Sequence, residues 1–168
     1  MPSCRQKTQA WCWATSISEL SYFYNRTNAT TTCSDIECSV VSSDLDKQCC
    51  PVGSSSACDG HGAANVDEVA AVATTFIGRE FVSVHAPLSE TELVQLLMAG
   101  KPIIMVIRYS GGGGHVMVIG GCRPPSHPWS GSAEYLIHNP EVEGYDASDY
   151  HEVLNYGGSK WVATVYAK

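Results

Sequence analysis

Basic residues are scarce in this chain, and nowhere do they gather into a run. Ten lysines and arginines stand against seventeen aspartates and glutamates in 168 residues, a formal charge of −7 with the histidines neutral. Nucleic acid is therefore not an expected partner, because neutralising a phosphate backbone requires clustered cations. Charge of either sign is sparse too, at 16% of residues against 44% apolar, and that balance excludes a disordered or fibrous chain. Long apolar runs are missing. The longest in the second half, Ile103 to Ile107, falls far short of the roughly 20 residues a membrane helix needs, so no membrane association is expected and the run reads as a buried strand. Met1 to Ala10 lack the basic start, apolar middle and small-residue cleavage site of a secretory signal. With the key cysteine, Cys12, so near Met1, the expectation is a domain excised from a longer precursor. No internal repeat is visible, and the length suits a single domain over residues 1–168.

Paired Cys-x-x-Cys knuckles are missing as well, although cysteine itself is plentiful. There are eight cysteines, and Cys33, Cys38, Cys49, Cys50 and Cys58 share one loop-rich segment, more than a reducing compartment ordinarily leaves. Without knuckles, and with His61 the one histidine nearby, structural zinc is the weaker reading. Disulfides are expected, and no metal or cofactor. If Cys12 stays reduced, seven others remain, so at least one is free or bonded outside the chain. Connectivity stays open.

What is present divides the chain into two unlike parts. Trp13, Ile17, Leu20 and Tyr24 recur at three- and four-residue steps, the stripe of a helix buried on one face and beginning at or near Cys12. From Asn25 to Gly62 the chain is polar, then rich in cysteine, serine and glycine without periodicity, and reads as an irregular, cross-linked loop region. Asn65 with Glu68, and Ser89 with Glu92, match the capping box, which predicts helices over Val66 to Thr75 and Glu90 to Ala99. Past Gly100 come short β-rich runs, Pro102 to Arg108, His115 to Gly120, Glu134 to His138 and Lys160 to Tyr166. An α+β domain follows, a helical and disulfide-rich half over 1–100 packed on an antiparallel β half over 101–168.

A cysteine is a good nucleophile only as a thiolate, and a helix N-terminus favours negative charge through its free amides and aligned dipoles. Cys12 stands where that help is available. The best partner base is His115, preceded by the glycines Gly111 to Gly114, of which Gly113 and Gly114 leave room for a substrate backbone. The same glycine run is a poor phosphate cradle, since no Lys-Ser/Thr follows and the next element is a strand. His61, His85, His127 and His138 read as surface or packing residues. Asp146 and Asp149 are alternative acids that could orient a base. Asn25-Arg-Thr27 and Asn28-Ala-Thr30 match the glycosylation pattern that short polar loops produce by chance.

The string Gln6-Lys-Thr-Gln-Ala-Trp-Cys12-Trp13-Ala-Thr-Ser resembles the nucleophile motif of papain-like cysteine peptidases. Gly100-Lys-Pro102, Gly113-Gly-His115-Val-Met-Val-Ile-Gly120 and Ile137-His-Asn139-Pro140 then follow in that family's order. The short first half, Cys-Trp-Ala and the adjacent Cys49 and Cys50 are most similar to the bacterial branch of avirulence-type proteases and toxin-effector domains. The resemblance implies a papain-like fold with Cys12 as nucleophile, His115 as base, Asn139 orienting the base, Gln6 in the oxyanion hole and Trp13 beside the substrate groove. Bacterial relatives often carry Asp-Pro at Asn139-Pro140, and the Ser-Trp that follows the asparagine in plant papains is missing.

The activity so implied is endopeptidase cleavage of a protein substrate through an acyl-thioester, by a protein secreted or delivered into another cell after maturing in an oxidising environment. An inhibitor or immunity protein is a candidate partner. Two rivals stand beside it: a Cys-His glutamine deamidase or transglutaminase, and a disulfide-stapled binding module on a dead scaffold. A leader peptidase cutting after Gly-Gly fits less well, since such domains usually carry glycine where Trp13 stands. Specificity is expected in the loops Tyr109 to Gly114 and Pro124 to Ser132.

Overall fold

The structure is a computed structural model that describes residues 3–25, 32–50, 56–63, 65–124, 133–142 and 144–168. His127, most of the Pro124 to Ser132 loop and most of the two glycosylation patterns lie outside the described residues. The elements run α1 (Cys12–Asn25), α2 (Cys33–Leu45), α3 (Ser56–Asp59), α4 (Val66–Ile77), β1 (Phe81–Val84), α5 (Glu90–Met98), β2 (Ile103–Arg108), β3 (Gly114–Arg123), β4 (Glu134–His138), β5 (Asp146–Ser148), α6 (Tyr150–Leu154) and β6 (Lys160–Ala167). The strands form one sheet in the order β1-β6-β2-β3-β4-β5, with every neighbouring pair antiparallel.

Alternation along the strands builds two cores. Ile104, Val116, Val118, Ala163 and Val165 point to the side covered by α1, α2 and α4. Ile103, Met105, Ile107, Met117, Ile119 and Trp161 point to the other, where Leu93 of α5 and Val153 of α6 close over them. The division into a helical half and a β half holds with two exceptions. β1 lies before residue 100 yet pairs with β6, and α5 crosses to the far face of the sheet. Both follow from burial: Phe81 and Leu93 each need an apolar partner, and the sheet offers one on each side.

Two sequence expectations need correction. The segment after Asn25 is not wholly irregular, because Cys33–Leu45 is a helix, started by a capping box between Thr32 and Asp35. Its apolar residues, Ile36, Cys38, Val40 and Val41, are too few and too mixed with serine to show a helical stripe. Helix α1 is not buried on one face only: every residue from Cys12 to Ser21 is buried. Its small hydroxyls make that tolerable, since Ser18 donates to Ala14 O at 2.7 Å and Thr15 to Glu37 Oε1 at 2.8 Å. Three disulfides, Cys4–Cys33, Cys38–Cys50 and Cys49–Cys58, cross-link this half, and Cys12 and Cys122 are free. The first of them ties the strand-like lead into α1 to α2, and Lys7 N–H adds a hydrogen bond to Glu37 Oε1 at 3.0 Å.

Candidate active site

Helix α1 starts in an unusual way. α2, α4, α5 and α6 each begin behind Thr32, Asn65, Ser89 or Asp149, whose side chain accepts from an amide of the first turn. Before α1 stands Trp11, whose carbonyl accepts from Thr15 N at 2.9 Å. An indole can only donate, and this one donates to Cys58 O at 2.7 Å. The first amides of α1 are thus not spent on a cap. The amides of Val116 in β3, of Trp13 and of Cys12 itself each favour a negative charge on the Cys12 sulfur.

These three amides do not win outright. Burial pushes the Cys12 thiol above its ordinary range, and the amides of Val116 and Trp13, followed by the residue's own, only oppose that effect, while Glu141 adds to it. The sequence led to the expectation that the helix terminus helps the thiolate and that a partner base completes the task. At 8% exposure desolvation outweighs the dipole, so a thiolate here requires a neighbouring base to take the proton.

The candidate for that base is a histidine of β3. His115 is the second residue of β3 and is only 4% exposed. It lines the same cleft of about 690 Å³ as Cys12, together with Trp13, Gly113 and Gly114. Val116, whose amide favours the thiolate, directly follows His115 in the strand. His115 Nε2 donates to Asn139 Oδ1 at 2.7 Å, which leaves Nδ1 as the nitrogen that can serve the thiol. The register explains the meeting: Val118 pairs with His138, so the chain leaving β4 at Asn139 runs back toward the start of β3. Asn139 Oδ1 also accepts from Glu141 N at 3.0 Å.

Gln6 and the glycines are placed less simply. Gln6 N–H donates to Pro140 O at 2.8 Å, which fixes the residue beside the turn after Asn139. Its side chain is not among those lining the cleft, and Oε1 is buried without a hydrogen-bond partner. Gly113 has φ +78°, and a Cβ at Gly114 would meet the Ile107 carbonyl oxygen at 2.7 Å. Glycine is thus required at 114 for β2 and β3 to pair next to His115. Gly114→Ala is expected to lower stability by about 1–3 kcal/mol in urea unfolding and to depress cleavage. Gly111→Ala, whose Cβ meets nothing within 4 Å, should do neither.

The remaining candidates take structural parts. His138 is fully buried and ion-paired through Nδ1 with Glu19 of α1. His61 pairs with Asp44 and lies edge-on to Trp13, and His85 pairs with Asp67 on the surface. Asp149 caps α6. Sequence reasoning missed Val66, Val69, Val106 and Arg108, which also line the cleft, because their approach depends on tertiary packing alone. Among the described residues no cluster of histidine, cysteine and carboxylate side chains could hold a metal ion, and no helix is long and apolar enough to cross a membrane.

A thiol at an uncapped helix start, a histidine in the same cleft and an amide behind the histidine are the arrangement of a papain-like cysteine protease. The chain belongs to the Peptidase C70 family, whose model, described as papain-like cysteine protease AvrRpt2, matches residues 1–148. It is a hydrolase whose substrate is protein. Its fold is similar to that of a C39-like peptidase from Bacillus anthracis, at 13% identity and a TM-score of 0.56, covering 99% of this chain and 94% of that one. The Pseudomonas avirulence protein AvrPphB is matched at 14% identity and a TM-score of 0.44, over 99% of this chain and 95% of that one. No curated protein matches the chain.

Proposed function

We propose that this protease is an endopeptidase in which Cys12 attacks the scissile carbonyl, His115 moves the proton and Asn139 orients His115. The observation that supports this most is that Cys12 and His115 line one cleft, with the imidazole held by Asn139. His115 Nδ1 takes the thiol proton, and the thiolate forms a tetrahedral adduct. The oxyanion is stabilised by the Cys12 backbone amide and the Gln6 carboxamide. Losing one such donor typically lowers the rate about 10²- to 10³-fold. The protonated His115 then gives its proton to the leaving amine, and a water activated by the same imidazole hydrolyses the thioester. Gln6 suits its part because its backbone is pinned to Pro140 and its carboxamide NH2 is a donor that an oxyanion can accept from. Asp-Pro in place of Asn139-Pro140 is not needed, since either side chain can accept from Nε2.

We further infer that residues 1–168 act as one domain, as an effector or toxin that is secreted or injected and meets an inhibitor or immunity protein. The disulfides favour maturation in an oxidising compartment. The test is a protein mixture treated with the wild type and with Cys12→Ala, analysed by mass spectrometry. New chain termini that appear only with the wild type are expected. Glutamine residues heavier by about one dalton, without new termini, would make the site a deamidase instead. Failure of either change to depend on Cys12 would leave a binding module.

A further inference from the structure

Arg123 and Lys168 are paired with Glu134 and Glu80, but two cations at the end of the cleft, Arg108 and Lys160, meet no carboxylate among the described residues. We propose that Arg108 and Lys160 form a subsite for a side-chain carboxylate, so that the protease selects protein segments with an acidic residue close to the scissile bond. This deepens the reading of Cys12 as the nucleophile of an endopeptidase and rests on it.

Register and alternation place the pair. Ile107 and Trp161 are partners across β2 and β6 and point into the second core. Their neighbours Arg108 and Lys160 are partners too, and so point to the opposite side, that of α1, α4 and Cys12. Side chains directly opposite in an antiparallel pair have Cβ atoms about 4.5–5.5 Å apart, and like charges there are unfavourable. On its other side Arg108 is partnered by Gly114, which has no side chain to cover it. Both cations are exposed. Arg108 lines the cleft that holds Cys12 and His115, and the described lining contains no aspartate or glutamate. Stability does not account for this placement: the chain has seventeen acidic residues, yet it sets two cations face to face and brings none of the described acids to either.

The surroundings narrow the ligand. Val66 and Val69 of α4 and Val106 of β2 line the same cleft. Between Val106 and Ile107 the register with β6 shifts, which leaves Val162 opposite neither residue. Such a bulge re-aims a side chain, and Val162 joins the other valines in the lining. Apolar walls that end at a guanidinium suit a peptide in which an aliphatic and an acidic side chain are near neighbours. The guanidinium offers a planar fork of donors that fits a carboxylate with two parallel hydrogen bonds, and Lys160 adds a point charge. An incoming carboxylate also offsets the repulsion between the two cations. The net charge of −7 does not bar such a substrate, because exposed charges separated by more than about 8 Å are largely screened at physiological ionic strength.

The test is the sequence around the cuts made in a mixture of unfolded proteins by the full chain with its disulfides intact, mapped by mass spectrometry. Aspartate or glutamate should be enriched at one fixed position close to the cut. For a peptide taken from such a site, replacing that acid by its amide should lower kcat/KM about five- to tenfold, and less at high salt. Arg108→Gln should cleave the two peptides alike, and Arg108→Glu should favour lysine or arginine at that position instead. Lys160→Gln should narrow the preference. Arg108→Gln and Lys160→Gln each remove one of two facing like charges, so neither should lower the thermal midpoint. Cuts that depend on Cys12 but show no acidic preference would overturn the inference and leave the endopeptidase standing, as would a preference that survives Arg108→Gln combined with Lys160→Gln. Absence of Cys12-dependent cuts would end both readings.

Discussion

Cleavage by His115→Ala is expected to fall about 10⁴-fold or more, with the fold intact. The size of the effect follows from the state of the sulfur. Burial raises the Cys12 thiol, and three amides do not restore it, so without an imidazole to take the proton the nucleophile stays a thiol at neutral pH. The same variant has no acid to protonate the leaving amine. His115 sits at the mouth of the strand pair, and its removal frees Asn139 Oδ1 to keep its bond from Glu141 N, so unfolding by urea should shift little. Activity within tenfold of the wild type would mean that the helix start alone makes the thiolate.

His138→Ala is expected to destabilise the protein by about 3–5 kcal/mol. His138 and Glu19 are both fully buried and paired. Glu19 Oε1 also accepts from Cys4 N at 2.8 Å, and Ser3 Oγ lies 2.8 Å from His138 Nε2. Gly144 N–H donates to that hydroxyl at 2.7 Å. One buried pair therefore joins the lead into α1, helix α1 itself and the strand that ends at Asn139. Removing the imidazole leaves a carboxylate without its counter-charge. Burial already pushes the Glu19 carboxyl up, and His138 pulls it back down. In the variant the folded-state pKa rises further above its unfolded value, so stability is retained at low pH and lost as pH rises through that folded value. The deficit in urea midpoint should be small near pH 4 and large near pH 8. Glu19→Gln, which keeps the shape and removes the charge, should lose much less. A deficit in His138→Ala that is independent of pH would point to lost packing rather than an exposed charge.

Much of this was legible in the sequence where a residue's neighbours along the chain decide its state. The capping pairs at Asn65 and Ser89 mark helix starts because the signal spans only three residues. Cys12 and His115 stand out through their flanking residues, tryptophans around the one and four glycines before the other. Two things were hidden. The stretch Cys33–Leu45 folds as a helix because disulfides and a capping box compensate for a weak apolar stripe. The thiol's acidity depends on burial by distant elements, which local dipole reasoning leaves out.

The two free cysteines allow the central claim to be tested inside one molecule. Cys122 is half-buried, whereas Cys12 is 8% exposed, so by access alone Cys122 should react first. An ordinary thiol with a pKa of about 8.5 is thiolate in only about one part in 300 at pH 6. A Cys12 paired with the His115 imidazolium is largely thiolate there, less a loss in intrinsic nucleophilicity. The decisive measurement is the ratio of iodoacetamide labelling at the two cysteines at pH 6 in the folded protein. The expected result is that Cys12 labels faster by at least about tenfold and loses that lead in His115→Ala. Faster labelling at Cys122 in the wild type would contradict an activated Cys12.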